Sequence, residues 1–115
     1  MKNVELSPEA VNDLVRLKEY MTENFGTNRA SKIVKGIMAD LKTLGEHPDS
    51  GSKNLFVRFD IETEYSYLVT HKNYAFYRVE GDSVKVIRVL DTRRDVIYIL
   101  FGVKVVDDYS EYWDE

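Results

Sequence analysis

The chain has 115 residues, 43% of them hydrophobic and 31% charged, with a formal net charge of −4; this describes one ordinary globular domain, too short for two cores. It contains no cysteine, so disulfides, thiolate catalysis and cysteine-held zinc are excluded. It shows no long apolar run and no basic-then-apolar leader, so neither export nor membrane insertion is expected and the cytoplasm is the default location.

Residues 2–6, KNVEL, form a short strand candidate that ends at Ser7-Pro8. Ser7 is placed to cap a helix by accepting a backbone N–H, and Pro8 to take the first helical position, where its missing donor is of no consequence. Ala10, Leu14, Leu17 and Met21 recur at helical spacing, widened by Val11 and Phe25, and Gly26 is expected to close the helix as a left-handed cap. Thr27 or Asn28 can cap a second helix carrying Ala30, Ile33, Val34, Ile37, Leu41 and Leu44, which Gly45 and Pro48 stop. So short a connection folds the helices back as an antiparallel hairpin whose apolar stripes need a sheet to cover.

Residues 45–54, GEHPDSGSKN, read as a loop. From Leu55 the period changes: Leu55, Val57, Phe59 and Ile61 alternate with Phe56, Arg58, Asp60 and Glu62, which predicts a half-buried strand or extended arm. A second run, Tyr65 to His71, leads through Lys72-Asn73 into residues 73–101, NYAFYRVEGDSVKVIRVLDTRRDVIYILF. This stretch predicts two alternating strands about a tight turn at Gly81-Asp82, then a turn holding Arg93 and Arg94, then a short amphipathic helix. Tyr77, Val79, Val84 and Val86 are assigned to one pleat face and Phe76, Ile87 and Val89 to the other, so both faces are expected to be partly covered.

Beyond Gly102, Val103, Val105 and Val106 can extend a strand or pack loosely, and then the charge becomes one-sided. Residues 107–115, DDYSEYWDE, hold five acids and no base; five from 20 leaves 15 against 16 Lys and Arg, about +1 for residues 1–106. This tail reads either as a solvated terminus or, because Tyr109, Tyr112 and Trp113 are costly to expose, as a strip that lies over a basic groove of the same or a neighbouring molecule.

Several side chains are candidates for chemistry. Arg93 and Arg94 can hold phosphate or a partner through their forks of donors, or one can pair with Asp91 or Asp95 to fix the turn. Arg78 and Arg88 lie on strands, where each also reads as a surface or cross-strand pair, with Glu80 as a candidate partner. Lys53, Arg58 and Lys72 can add a stripe that tracks a nucleic-acid backbone, although lone exposed cations are common. His71, at a strand end, is a side chain of the type that suits proton transfer, or is a turn residue only; His47 before Pro48 reads as structural. Two isolated histidines without carboxylates at ligand spacing make no metal site, and no cofactor is expected. Glu62 and Glu64 beside Tyr65 and Tyr67 can form an acid-base set, or protect a strand edge from pairing. Tyrosines on strands serve base stacking or simply half-buried positions.

With the order strand, helix pair and meander, and the residues YRVEGDSVKVIRVLDTRRD, the chain resembles the RelE/ParE superfamily of bacterial type II toxins over residues 1–102. The most specific part is the tyrosine-rich run Tyr74 to Val79, the hairpin and IRVLDTRRDVIYILFG; the SPEA helix start and the PDSG loop are similar too. The resemblance implies an α+β fold: an N-terminal strand, an antiparallel helical hairpin packed on a curved antiparallel sheet of about four strands, and a short C-terminal helix. It implies a single toxin domain, 1–106, followed by the acidic aromatic tail 107–115. It also implies a cognate antitoxin that wraps the toxin, with DNA engaged only indirectly through that complex and no membrane.

Some branches of the superfamily cleave messenger RNA on the ribosome without a metal, and another poisons DNA gyrase. Metal-independent RNA cleavage needs one group to take a proton, one to return a proton, and cations on the transition state. Arg94 matches the family's arginine after the last strand; Tyr74 stands at the position of its strand arginine. Leu100 lies near the usual tyrosine with Tyr98 two residues away, and Asp91 stands where many relatives have histidine. The leading expectation is growth inhibition by ribosome-associated mRNA cleavage, with Arg94 on phosphate charge and Arg93, Arg78, Tyr98 and His71 assisting, and Arg88, Lys53, Arg58, Lys72 and Tyr74 binding RNA or a partner. The alternatives are a ParE-like inhibitor that disables gyrase by contact alone, and an inactive relative that only binds an antitoxin.

Overall fold

The computed structural model describes residues 1–104. The expectation for residues 107–115 lies outside these. Strand β1 (Asn3–Leu6) leads into helices α1 (Pro8–Phe25) and α2 (Thr27–Thr43), a short helix α3 (Asn54–Arg58), strands β2 (Ser66–Thr70), β3 (Asn73–Glu80) and β4 (Ser83–Asp91), and helix α4 (Val96–Phe101). The sheet order is β1-β4-β3-β2. β2, β3 and β4 are antiparallel, but β1 runs parallel to β4, with Asn3 opposite Ser83 and Leu6 opposite Val86. The sheet is therefore mixed rather than antiparallel. Alternation in a strand of four residues carries no direction, and a parallel partner becomes available only after a long crossover.

The helix starts follow from local chemistry. Ser7 accepts the Ala10 N–H at 3.0 Å and donates its own proton to the Ile87 carbonyl at 2.6 Å, so the cap of α1 is also a tie to β4. Gly26 joins the helices at φ 89° and ψ 163°. Its positive φ is the expected glycine conformation, but its extended ψ is not left-handed helical, because the residue must leave α1 and enter α2 at once. Gly26 itself is the cap of α2, and neither Thr27 nor Asn28 supplies a side-chain cap.

The run from Leu55 to Glu62 is corrected from strand to α3 and its following turn. Leu55 and Phe56, adjacent in sequence, are both buried, while Val57 is 72% exposed. A helical turn can place neighbours on one side; a strand cannot. Ser52 Oγ accepts the Asn54 N–H at 3.1 Å and the Tyr67 hydroxyl accepts that of Leu55 at 3.0 Å, which supplies the partners this short helix lacks internally.

The sheet is covered on both faces. On one side α1 and α2 bury Ala10, Leu14, Ile37, Leu41 and Leu44 against Ala75, Tyr77, Val84, Val86 and Val89. On the other, Leu55 and Phe56 of α3 and Val96 and Ile97 of α4 close over Tyr67, Phe76 and Leu90. Val89 therefore shares a face with Val86, not with Phe76 as alternation predicts. The register shifts between Phe76, opposite Arg88, and Tyr77, opposite Val86, so Ile87 is the extra residue of a β-bulge and the parity of β4 changes there. Tyr77 reaches through the helix-side core to clamp the loop: its hydroxyl donates to the Pro48 carbonyl at 2.7 Å and accepts the Gly51 N–H at 3.0 Å. A Cβ at Gly51 would collide with that ring, which explains glycine there. Burial pushes the Tyr77 phenol up.

Candidate cationic cleft at the end of the sheet

The site is built where β4 runs out. Asp91, its last residue, accepts the Arg93 backbone N–H at 2.8 Å, Arg93 Nε at 3.0 Å and Arg93 Nη2 at 2.9 Å. One carboxylate thus closes the turn and holds a guanidinium by its fork. The Arg93 hydrogen bond holds the Asp91 carboxyl below the usual carboxylate range and raises the Arg93 guanidinium in return. Even so, the Arg93 side chain is 80% exposed. The turn is tied to its neighbour by the Thr92 N–H on the Lys72 carbonyl at 3.0 Å. It ends where Asp95 accepts the Tyr98 N–H at 3.2 Å and starts α4. Arg94 is exposed and, among the described residues, forms no ion pair.

Three clefts meet at this turn. A cleft of about 600 Å³ lies between α1 and the turn, with Arg16 and Tyr20 on the helix wall and Asn73, Asp91, Arg93 and Arg94 opposite. A second, about 510 Å³, shares Tyr20, Asn73 and Arg93 with the first and adds Arg29, His71 and Lys72. A third, about 420 Å³, lies on the α4 side, with Arg58, Phe59 and Tyr74 facing Arg93, Arg94 and Asp95. The turn arginines are therefore the ridge between recesses on the two sides of the sheet.

Behind the first cleft lies a pair that fixes α1 to β4. Asp13, its side chain 4% exposed, accepts Arg88 Nε at 2.7 Å, Arg88 Nη2 at 2.9 Å and the Val89 N–H at 2.9 Å. Its hydrogen bonds raise the Arg88 guanidinium. Arg88 is thus a half-buried structural cation, and Asp13 rather than Glu80 is its partner. The bulge at Ile87 presents Arg88 and the Val89 amide to the same helix.

The remaining candidates separate cleanly. Arg78 is held by Glu80 at 3.3 Å and Glu64 at 3.7 Å, toward the Gly81 end of the hairpin. Lys53 donates to the Thr63 and Tyr65 carbonyls at 3.1 and 2.6 Å, where it stitches the loop before β2. Tyr98 is exposed on α4, and neither it, Lys53 nor Arg78 lines any of the three clefts. Arg58 stacks over Phe59 at 5.6 Å and faces the third cleft. Tyr74 packs edge-on against Tyr67, with centroids 5.1 Å apart, and lines the same cleft. His71 and Lys72 are the two central residues of the β2–β3 turn, with φ of 47° and 63°. The His71 ring rests over Gly36 of α2, where any Cβ would collide with it.

Sequence reasoning missed Asp13, Arg16, Tyr20, Arg29 and Asn73. A signal existed for Asp13: it sits three residues after Ala10 and four before Leu17, inside the apolar stripe of α1, where an acid needs a partner. Arg16 and Tyr20 are spaced by one helical turn on a flank of that helix, which by itself is indistinguishable from a solvated face. Among the described residues no group of three or more His, Asp or Glu is arranged to hold a metal ion, and no helix is long and apolar enough to cross a membrane.

Comparison with known proteins identifies the family and the fold. The model of a family described as the ParE toxin of type II toxin-antitoxin system, parDE, matches residues 4–96. A solved chain from the chromosomal ParDE TA system of P. aeruginosa superimposes with a TM-score of 0.67 at 19% identity, covering 79% of this chain and 96% of that one, and so has the same fold. A chain from the YoeB-YefM complex of Staphylococcus aureus aligns at 22% identity over 78% of this chain and 95% of that one, with a TM-score of 0.44. No curated protein matches the sequence.

Proposed function

The chain belongs to the ParE toxins of type II toxin-antitoxin systems, and from that membership we propose that it arrests growth by contact with DNA gyrase, breaking no bond itself. A cognate antitoxin neutralises it by covering the Arg93–Arg94 end of the sheet. The observation that carries this reading is that Arg78, Tyr98 and His71, expected to assist Arg94 in RNA cleavage, do not line a cleft with it. RNA cleavage without a metal requires base, acid and cations around one phosphate. Arg78 lies five positions along β3 from Asn73, about 16 Å at the usual strand rise, and its charge is met by two glutamates. Tyr98 faces none of the clefts, and Arg88 is consumed by Asp13. Asp91, at the position where relatives carry histidine, is saturated by Arg93. Binding demands less: an exposed, rigidly based cation beside shaped recesses is sufficient, and arginine is a common energetic anchor of interfaces.

The test is purified protein in a gyrase supercoiling assay and in a ribosome-primed RNA cleavage assay. Inhibition of supercoiling without RNA cleavage is expected. Arg94→Ala should weaken inhibition by about tenfold or more, equivalent to about 1.4 kcal/mol, with an unchanged melting temperature because Arg94 forms no ion pair among the described residues. Full potency in that variant would remove Arg94 from the contact surface. One observation favours messenger RNA cleavage as a second reading: His71 and Arg93 line a common cleft. Ribosome-dependent cleavage abolished by His71→Ala would establish that reading and overturn the first. Normal growth on induction without the antitoxin would show an inactive relative.

A further inference from the structure

We propose that helix α1 is a working wall of the contact surface: Arg16 and Tyr20 touch the protein target together with Arg94, and the Asp13–Arg88 fork is the positioning device that aims them. The inference rests on the reading that this chain acts by binding a protein, and it extends the binding surface from the arginine turn onto the helix. Its first ground is where the polar tie lies. α1 meets the sheet largely through apolar residues, Ala10, Leu14 and the partly buried Leu17, yet at one point a carboxylate only 4% exposed is set among them. Asp13 and Val89 both line the first cleft, so their tie forms the floor between the α1 wall and the arginine turn.

The second ground is the geometry of the tie. An apolar stripe about 100° wide or more leaves a helix some freedom to roll on a sheet. A carboxylate held by two nitrogens of one guanidinium, at 2.7 and 2.9 Å, and by a backbone amide at 2.9 Å does not. The amide donor is there because the extra residue at Ile87 turns Val89 toward α1, and such bulges re-aim groups beside functional sites. Apolar replacements of a buried ion pair are often neutral for stability, so stability alone gives no reason for a charge pair at this point; fixed register does.

The third ground is what the tie holds in place. Arg16 and Tyr20 follow Asp13 by three and seven residues on the same side of α1, about 4.5 and 10.5 Å along its axis. Both are exposed and line the first cleft, with Arg94 opposite. Tyr20 also lines the second cleft and approaches Arg93: Asp91 is the main cause of the raised Arg93 guanidinium, and the Tyr20 side chain adds to it. Rolling α1 by one residue position, about 100°, would carry both side chains out of the recess. Arginine and tyrosine are the residue types that most often anchor protein interfaces. The segment this recess fits bears a carboxylate beside an apolar side chain, since Arg16 and Arg94 offer forks from two walls while Leu17, Tyr20 and Val89 supply apolar surface.

The test measures growth arrest on induction without the antitoxin, and inhibition of gyrase supercoiling by purified protein. Arg16→Ala and Tyr20→Ala should each relieve arrest and raise the half-inhibitory concentration about tenfold, with folding verified by circular dichroism melts. Lys18→Ala removes the same charge from another flank of α1 that lines none of the three clefts, and should do neither. Unchanged arrest by either Arg16→Ala or Tyr20→Ala, or equal relief by Lys18→Ala, overturns the contact role. Positioning is read apart from stability. Asp13→Ala with Arg88→Met, though more stable than Asp13→Ala alone, should stay about tenfold weak. Leu44→Ala, a core truncation away from the clefts, should keep its potency at a temperature where its melt shows it folded. Potency that returns with stability in the double variant overturns the positioning role. Arrest without inhibition of gyrase would end the gyrase reading while the growth assay still decides the role of α1. Ribosome-dependent RNA cleavage that is lost in Arg16→Ala would set nucleic acid against the helix and overturn the inference, and no arrest by the unaltered protein would overturn both.

Discussion

Asp13 is the residue on which the site's backing depends. It is withdrawn from water yet saturated by two guanidinium bonds and one backbone amide, so its removal leaves Arg88 and the Val89 amide without their partner. Breaking such a pair by deleting one member costs about 3–5 kcal/mol; because the Arg88 side chain retains 22% exposure, the lower end is expected. Urea denaturation of Asp13→Ala should show a loss of about 3 kcal/mol, with Asp13→Ala plus Arg88→Met recovering part of it. A loss under about 1 kcal/mol would mean that water replaces the carboxylate. The roles of single residues were unevenly legible. The pairing of Arg93 with Asp91 was foreseeable because the two are two positions apart and meet in a turn. That of Arg88 with Asp13 spans 75 residues and exists only once α1 lies across the bulge.

Among the elements, the β2–β3 turn stores strain. A two-residue hairpin with both central residues at positive φ is the type I′ arrangement, which favours Asn-Gly, yet His71 and Lys72 occupy it. Left-handed conformation costs an L-residue about 1–2 kcal/mol. His71 has a compensating seat over Gly36, whereas Lys72 is exposed. Lys72→Gly is therefore expected to stabilise the protein by about 0.5–1 kcal/mol, after the extra entropy glycine loses on folding, and a thermal melt should rise by a few degrees. A fall would place a stabilising contact on the lysine. The same turn shows why element boundaries were only partly readable. Gly81 announced the β3–β4 hairpin through its glycine, and Gly81 takes φ 58° as expected. His71-Lys72 lacks such a glycine, so the connection read through Lys72-Asn73 lies one residue earlier in the structure, and α3, at five residues, is too short for a helical period to show against an accidental alternation.

At the level of the assembled fold, the sheet separates two cores that need not melt together. Phe56 is the hub of the smaller one, with ring centroids 5.7 Å from Tyr67, 5.9 Å from Phe76 and 5.8 Å from Phe101. Phe56→Ala should cost about 3–5 kcal/mol. Amide exchange in α4 should accelerate far more than in α1 and α2, since α4 is held by this cluster and the helical hairpin by the other. Uniform acceleration would show one cooperative core instead.

The helical hairpin, the β3–β4 ribbon and the arginine turn were readable in advance, because each is encoded by spacing, caps and turn residues within about twenty positions. Three things were decided by tertiary contact: the parallel seat of β1, the change of face at Ile87, and the sorting of the cations. Arg78, Arg88 and Lys53 are spent on local or buried partners, while Arg16 and Arg29 join Arg94 at the clefts. Local pattern records which side of its own element a residue occupies. Whether a charge is neutralised or left open to a partner depends on what lies across the gap, and that is fixed only when distant segments pack.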